Sequence, residues 1–111
     1  MQKYFVSPEE REGSCYYEFF KGSWDGKTFW KEDSICIHDN HLYECDFIDI
    51  LIKHAPDYNP FGETEISCAQ WEKIKTDCLL SGGKTANIVE EAEEWIKDTF
   101  SKHSVFTILG I

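Results

Sequence analysis

The chain carries one local cluster of possible metal ligands, Cys36-x-His38-x2-His41-x3-Cys45. Thiolates and imidazoles are the usual ligands of zinc, but standard structural zinc sites pair two cysteines two to four residues apart, and this spacing does not. The cluster also spans a predicted junction between a strand and a helix, where the four side chains need not converge. We therefore interpret it as two core cysteines and two surface histidines, and we predict neither a metal nor another cofactor.

Two further pairs could support nucleophilic catalysis, which needs a thiol beside a histidine that acts as base. Cys78 with His103, and Cys68 with His54, are pairs that a fold could bring together. The signatures of caspase-type cysteine proteases, serine hydrolases, nucleotide-binding loops and HExxH metalloproteases are all missing. We predict that the protein is not an enzyme, and a thiol- or metal-dependent enzyme is the least favoured of three function classes.

Paired carboxylates are plentiful, but they do not form a convincing acid–base site. Such catalysis requires one carboxyl group whose pKa is raised by burial. Adjacent acids on a solvated helix face do not supply that environment. We interpret these pairs as surface charge: Glu9/Glu10, Glu32/Asp33, Glu90/Glu91 and Glu93/Glu94.

The charge balance limits the partners. The 111 residues include 21 acids and 11 bases, which gives a net charge of −10. Binding to a nucleic-acid backbone or to an anionic membrane surface requires a basic face, so we expect neither. An acidic surface steers a basic partner toward the protein, although acidity also serves solubility alone.

The cysteines and the apolar segments indicate a compartment. Five cysteines at scattered spacing do not form a disulfide framework, and the first residues lack the apolar stretch of a signal peptide. No segment approaches the roughly 18 apolar residues of a membrane span. We expect a protein of the reducing cytoplasm.

The elements that must position these residues begin with β structure. Short strands are predicted over 3–6, 15–20, 28–31 and 35–38, arranged as an antiparallel meander. A polar break covers 7–13 and a turn covers 21–27, which contains Asp25-Gly26.

Helices follow. A first helix is predicted from Leu42 to His54, capped by Asp39 or Asn40 and stopped by Pro56. A second runs from about 68 to 80 with Ser67 as N-cap and Gly82-Gly83 at its end, and a third from about 86 to 101.

The apolar run 105–111 has the composition of a buried strand, because an exposed end of this kind would promote aggregation. We therefore predict a single α+β domain over 1–111, with an antiparallel or mixed sheet of about four to five strands and about three helices. The C-terminal strand is expected to be paired in the sheet.

The acidic helix Glu90-Glu91-Ala92-Glu93-Glu94-Trp95-Ile96-Lys97-Asp98-Thr99-Phe100 leads into Val105-Phe106-Thr107-Ile108-Leu109-Gly110-Ile111. This combination resembles bacterial immunity proteins of polymorphic-toxin and contact-dependent growth inhibition systems. The resemblance implies a cytoplasmic protein that neutralises a cognate toxin, often a basic nuclease, by stoichiometric association. The alternative is a small adaptor or regulatory protein that binds another cytoplasmic protein.

Acids around a few aromatic anchors are typical of such an interface. On these grounds we predict that the partner binds the surface of the β region, through Glu18, Trp24, Asp25, Glu32 and Asp33. The competing surface is the acidic helix face that carries Glu90, Glu91 and Glu94.

Overall fold

The computed structural model describes residues 4–110 and contains a five-stranded antiparallel sheet with helices packed on it. The predicted α+β class is confirmed. The strands are β1 Phe5–Val6, β2 Tyr16–Lys21, β3 Ile35–His38, β4 Glu63–Ser67 and β5 Val105–Leu109. The helices are α1 Asp39–Tyr43, α2 Phe47–His54, α3 Cys68–Ser81 and α4 Gly83–Phe100, with a 3-10 turn at Pro8–Glu10. The predictions for Lys3 and Ile111 concern positions outside the described residues.

The spatial order of the strands is β1-β3-β2-β5-β4. The C-terminal strand β5 lies between β2 and β4, with Phe19 opposite Ile108 and Ile66 opposite Phe106. The prediction that this run is paired and buried is therefore confirmed. The predicted meander is wrong in its order, because β3 rather than β2 is the neighbour of β1.

One face of the sheet, here called the first face, packs against the helices, and all four helices contribute side chains to the resulting core. Strand alternation places Tyr17, Phe19 and Ile37 on this face, where they meet α2, α3 and α4. The helices contribute apolar stripes at helical spacing, including Leu51, Ile74, Ile88, Ala92 and Ile96. Each of these core side chains is at most 1% exposed.

Local chemistry accounts for the ends of the longer helices. Ser67 caps α3: its hydroxyl accepts a hydrogen bond from the Gln70 N–H, and the side-chain oxygen of Gln70 accepts one from the Ser67 N–H. Gly82, with a φ of 72°, separates α3 from α4 in a conformation that glycine adopts without a Cβ clash. Both boundaries agree with the prediction from sequence, although α4 begins at Gly83, three residues before the predicted start.

The predicted helix from 42 to 54 is two helices. The backbone N–H of Asp46 donates to the Thr85 hydroxyl at 3.0 Å, so this tertiary bond replaces the helical bond to Leu42. The His38 side chain caps α1 by accepting from the Asn40 N–H, so the predicted caps Asp39 and Asn40 are wrong. The chain leaves α2 at Ala55, directly before Pro56, as expected.

Two strand predictions also fail. Strand β4 is not among the predicted elements, because its alternation buries only Thr64 and Ile66 and leaves Glu63 and Glu65 in solvent. The predicted strand 28–31 is instead part of a loop, because its backbone N–H groups donate to side chains and not to a neighbouring strand.

Candidate functional site

The part of the second face around Glu18 is covered by the segment 22–34, here called the 22–34 loop, which connects β2 to β3 without regular secondary structure. Gly22 anchors its start: the Gly22 N–H donates to the Val105 carbonyl at 3.1 Å, and its own carbonyl accepts from the Thr107 hydroxyl at 2.8 Å. A Cβ on Gly22 would lie 2.7 Å from Nδ1 of His103, so no larger residue fits there without a shift. Ordered loops of this length are often functional.

The carboxylate of Glu18, on β2, binds the second half of the loop. It accepts hydrogen bonds from the Trp30 N–H at 2.7 Å, from the Lys31 N–H at 3.0 Å and from the Ser34 hydroxyl at 2.6 Å. The side chain of Glu18 points to the second face, and the residue is 1% exposed. Burying a carboxylate is unfavourable unless hydrogen bonds replace its water, and these three donors do so.

Trp30 lies at the strained point of the loop, with a φ of 59°. A bulky residue in the left-handed region costs of order 1–3 kcal/mol and persists only where its surroundings impose it. Here the Glu18 bond fixes the backbone, and the Arg11 guanidinium stacks 3.7 Å from the centre of the Trp30 ring. Such strain is concentrated at functional sites, so it marks the loop as a candidate site.

An acid-capped turn forms the first half of the loop. The Asp25 carboxylate accepts from the N–H groups of Lys27 and Thr28 and from the Thr28 hydroxyl. The Thr28 hydroxyl, followed by these N–H groups, lowers the pKa of Asp25 from 3.8 to about 2. Asp25 is therefore ionised at any physiological pH.

Two aromatic side chains pack on each other beside this turn. The ring centres of Trp24 and Phe29 are 5.1 Å apart, and the Trp24 indole N–H donates to the Thr28 carbonyl at 2.6 Å. Phe29 is 54% exposed, and Trp24 is half-buried. An exposed ring supported by a second, fixed ring is the arrangement of an interface anchor, because little side-chain entropy remains to be lost on binding.

The far end of the loop is tied to α4. The Trp95 indole N–H donates to the Asp33 carbonyl at 2.8 Å, so this tryptophan of the helix stripe also fixes the loop. The side chains of Glu32 and Asp33 remain exposed to solvent. The loop thus carries exposed Phe29, Asp25, Glu32 and Asp33 on one segment that is hydrogen-bonded at its start, middle and end.

The five predicted partner-binding residues differ in their exposure to solvent and in their position. Trp24, Asp25, Glu32 and Asp33 all belong to the 22–34 loop, and their role in binding a partner stays a prediction. The placement of Glu18 on the surface is wrong: it is 1% exposed, because the loop folds over it and consumes its hydrogen-bonding capacity. Its contribution is to position the loop.

The prediction missed Phe29, which is the most exposed aromatic side chain of the loop. It lies inside the segment 28–31, for which the sequence predicts a strand, and it is not among the predicted partner-binding residues. The signal that could have revealed it is Glu18 itself, a single acid within the aromatic run Tyr16–Phe20. A carboxylate there needs backbone donors from a covering segment.

The four residues of the suspected metal cluster have separate environments. Cys36 is 0% exposed and points to the second face of the sheet, where burial raises the pKa of its thiol to about 12. The Nδ1 of His38 accepts from the Asn40 N–H, and the Cys45 thiol donates to the His41 carbonyl. His41 packs edge-on against Tyr4, with ring centres 5.1 Å apart. Within residues 4–110, no three His, Cys, Asp or Glu side chains are grouped so that they could hold a metal ion.

The members of the two suggested thiol–histidine pairs also have environments of their own. Cys78 is 0% exposed in the core, and burial raises its pKa to about 12, which leaves it protonated and a poor nucleophile. The His103 ring packs against Gly22. Cys68 is exposed at the start of α3, while Nε2 of His54 bonds to the Asp77 carboxylate at 2.7 Å.

The acidic residues on the competing face of α4 have different environments. Glu91 uses its carboxylate to accept from the N–H groups of Tyr4 and Phe5, at 2.8 to 2.9 Å, and thereby attaches β1 to the helix. Glu90 and Glu94 remain exposed. This face therefore presents dispersed charge, without an exposed aromatic residue on the helix.

Across residues 4–110, every helix is too short or too polar to span a lipid bilayer. The chain was also compared with protein-family models, with curated proteins and with solved structures. None of the three comparisons gives a match, so the 22–34 loop and its chemistry are the basis for assigning a function.

Proposed function

We propose that this protein acts in the bacterial cytoplasm as an immunity protein, which neutralises a basic cognate toxin by stoichiometric binding through the 22–34 loop. The observation that carries the proposal is the buried Glu18 carboxylate beneath Trp30, which holds a strained loop in one conformation. A partner then meets a surface that is already ordered. Preorganisation of this kind increases affinity because less conformational entropy is lost on binding.

Charge supports a basic partner. The net charge is −10, and the loop that carries Phe29 also carries exposed Asp25, Glu32 and Asp33. Acids at the rim accelerate the encounter with a basic protein, and a central aromatic residue supplies binding energy. A toxic nuclease with a basic substrate groove has this complementary chemistry.

The alternative function, an adaptor that binds another cytoplasmic protein, would use the same surface. The two differ in what the partner does: a toxin arrests growth when it is expressed alone, and the partner of an adaptor does not. A thiol- or metal-dependent enzyme is the third candidate, and it would give turnover without a stable protein partner.

The test begins with immobilised protein and lysate of the source organism, with mass spectrometry of the retained proteins. A retained basic protein is then expressed in a host with and without the present chain. We expect growth arrest that wild type relieves. The double variant Phe29→Ser, Asp33→Lys should bind at least about tenfold more weakly and fail to rescue growth.

The matched control is Leu79→Ser with Glu72→Lys, which makes the same kinds of change on the exposed side of α3. It should rescue growth like wild type, and circular dichroism should show that both double variants are folded. A retained partner that is not toxic would replace the immunity function with the adaptor function. Equal loss of rescue in the control would show that the effect is not specific to the loop, and it would contradict binding through the loop.

A further inference from the structure

A second surface lies on the helical side of the sheet, opposite the 22–34 loop. It is a groove of about 470 Å³ between α2 and α3, lined by Asp46, Asp49, Ile50, Lys53, Asp77, Leu80 and Ser81. Leu80, in the last turn of α3, is 81% exposed, and Ile50 is only partly buried. The groove therefore includes apolar surface that the fold leaves uncovered.

The walls of this groove carry an excess of negative charge. Three aspartates line it with a single lysine, and the Lys53 ammonium is engaged by Asp77 at 3.2 Å. Asp77 also accepts from His54, and the bonds from His54 and then Lys53 lower its pKa. Asp46 accepts from the Ser81 hydroxyl at 2.6 Å. Within residues 4–110 no lysine, arginine or histidine forms an ion pair with Asp46 or Asp49, so both keep their charge available to a partner.

Acids lie on both walls, with Asp46 and Asp49 on the side of α2 and Asp77 on the side of α3. Leu80 and Ile50 provide apolar surface in the same groove. An amphipathic helix that carries leucine-type side chains on one stripe and lysines or arginines beside it has the complementary pattern. A neutral or acidic helix would leave the aspartates facing apolar groups or like charge, which is unfavourable.

We infer that the groove between α2 and α3 is a docking site for a basic amphipathic helix of a partner protein. The apolar stripe of that helix contacts Leu80 and Ile50, and its cationic side chains pair with Asp46 and Asp49. This site is separate from the 22–34 loop, because every residue that lines the groove belongs to the segments 46–53 and 77–81. The domain can therefore hold two partner segments at once.

The test uses a fluorescein-labelled 14-residue peptide of leucine and lysine whose order gives an amphipathic helix. A scrambled peptide of the same composition, without an amphipathic face, is the reference. Fluorescence anisotropy should show that wild-type protein binds the helical peptide about tenfold more tightly than the scrambled one. The double variant Leu80→Ser, Asp49→Lys should lose about tenfold in affinity for the helical peptide, about 1.4 kcal/mol.

The matched control is Phe61→Ser with Glu65→Lys, because Phe61 has the same 81% exposure as Leu80 and Glu65 is an exposed acid on β4. It should bind the helical peptide like wild type. Equal affinity for the two peptides, or equal weakening in both double variants, would reduce the interaction to net charge and overturn the assignment. Absence of binding by wild type would overturn it as well. Neither result bears on the loop variants, so the two proposals fail separately.

Discussion

At the scale of single residues, Glu18 shows how one carboxylate can organise a whole segment. Its oxygens accept three hydrogen bonds from residues 12 to 16 positions further along the chain. A buried carboxylate leaves little freedom to the donors around it, because each unsatisfied charge or donor would be costly. This acid was predicted to bind a partner because it is charged. What the residue type alone could not indicate is that the charge is satisfied internally.

Asp25 supports a prediction about pH. Its folded pKa of about 2 lies below the ordinary 3.8, so its ionised form stabilises the folded state. For a lowered pKa this contribution is present above the unfolded value and is lost as pH falls through the folded value. Thr28→Val removes the hydroxyl donor. We expect the variant to be less stable than wild type at neutral pH, and the difference to shrink as pH falls from 3.8 to about 2.

Urea denaturation at a series of pH values measures this difference directly, and a carboxyl ¹³C titration should show the pKa of Asp25 rising in Thr28→Val. Asp25→Asn serves as the control, since it removes the titrating group and should show a weaker pH dependence over the same range. A stability difference between wild type and Thr28→Val that stays constant down to pH 2 would contradict the assignment.

At the scale of elements, the sequence allowed correct prediction wherever local signals agree. The α3 helix has a capping serine, an apolar stripe and a glycine end, and β5 is a run of apolar residues interrupted only by Thr107. These features favour one structure without help from distant residues. Where a distant residue decides, prediction failed: Glu18 takes the N–H groups of Trp30 and Lys31, and Thr85 takes that of Asp46. The same dependence explains why the candidate site was located only in part.

The capping box of α3 gives a prediction at this scale. Ser67→Ala should lower the free energy of unfolding by about 1 kcal/mol, because the Gln70 N–H loses its acceptor at the helix start. Ser104→Ala is the control, since Ser104 is exposed and lies outside every helix. Urea titration of both variants measures the difference. A cost at Ser104 equal to that at Ser67 would show that the cap does not contribute.

At the scale of the whole molecule, the sheet separates two surfaces of different character. One side presents the rigid 22–34 loop, and the other presents the groove between α2 and α3. Both are acidic with an exposed apolar side chain, Phe29 on one and Leu80 on the other. The net charge of −10 extends this field over the molecule, so association with basic partners should slow as salt increases.

The burial of the thiols gives a prediction for the whole fold. Cys15 and Cys68 are exposed, Cys45 is partly buried, and Cys36 and Cys78 are 0% exposed with pKa values raised to about 12. Iodoacetamide should therefore modify Cys15 and Cys68 rapidly, Cys45 more slowly, and Cys36 and Cys78 only through unfolding.

Peptide mass spectrometry of the alkylated protein over a series of urea concentrations reports each thiol separately. Cys36 lies on one side of the sheet and Cys78 on the other, and both are buried in the same domain. Their thiols should therefore become accessible to iodoacetamide together, at the midpoint of global unfolding. Separate midpoints for the two thiols would show that the loop side opens without the helical side.

The position of β5 in the sheet constrains how the chain can fold during its synthesis. Strands β2 and β4 do not pair with each other, and each reaches the other only through residues 105–109. While the ribosome is still adding α4, the nascent chain can form the β2–β3 hairpin and individual helices, but the two halves of the sheet share no strand. Closure waits until Leu109 has left the exit tunnel, so until then the apolar face of β2 depends on the helices, or on a chaperone, for cover.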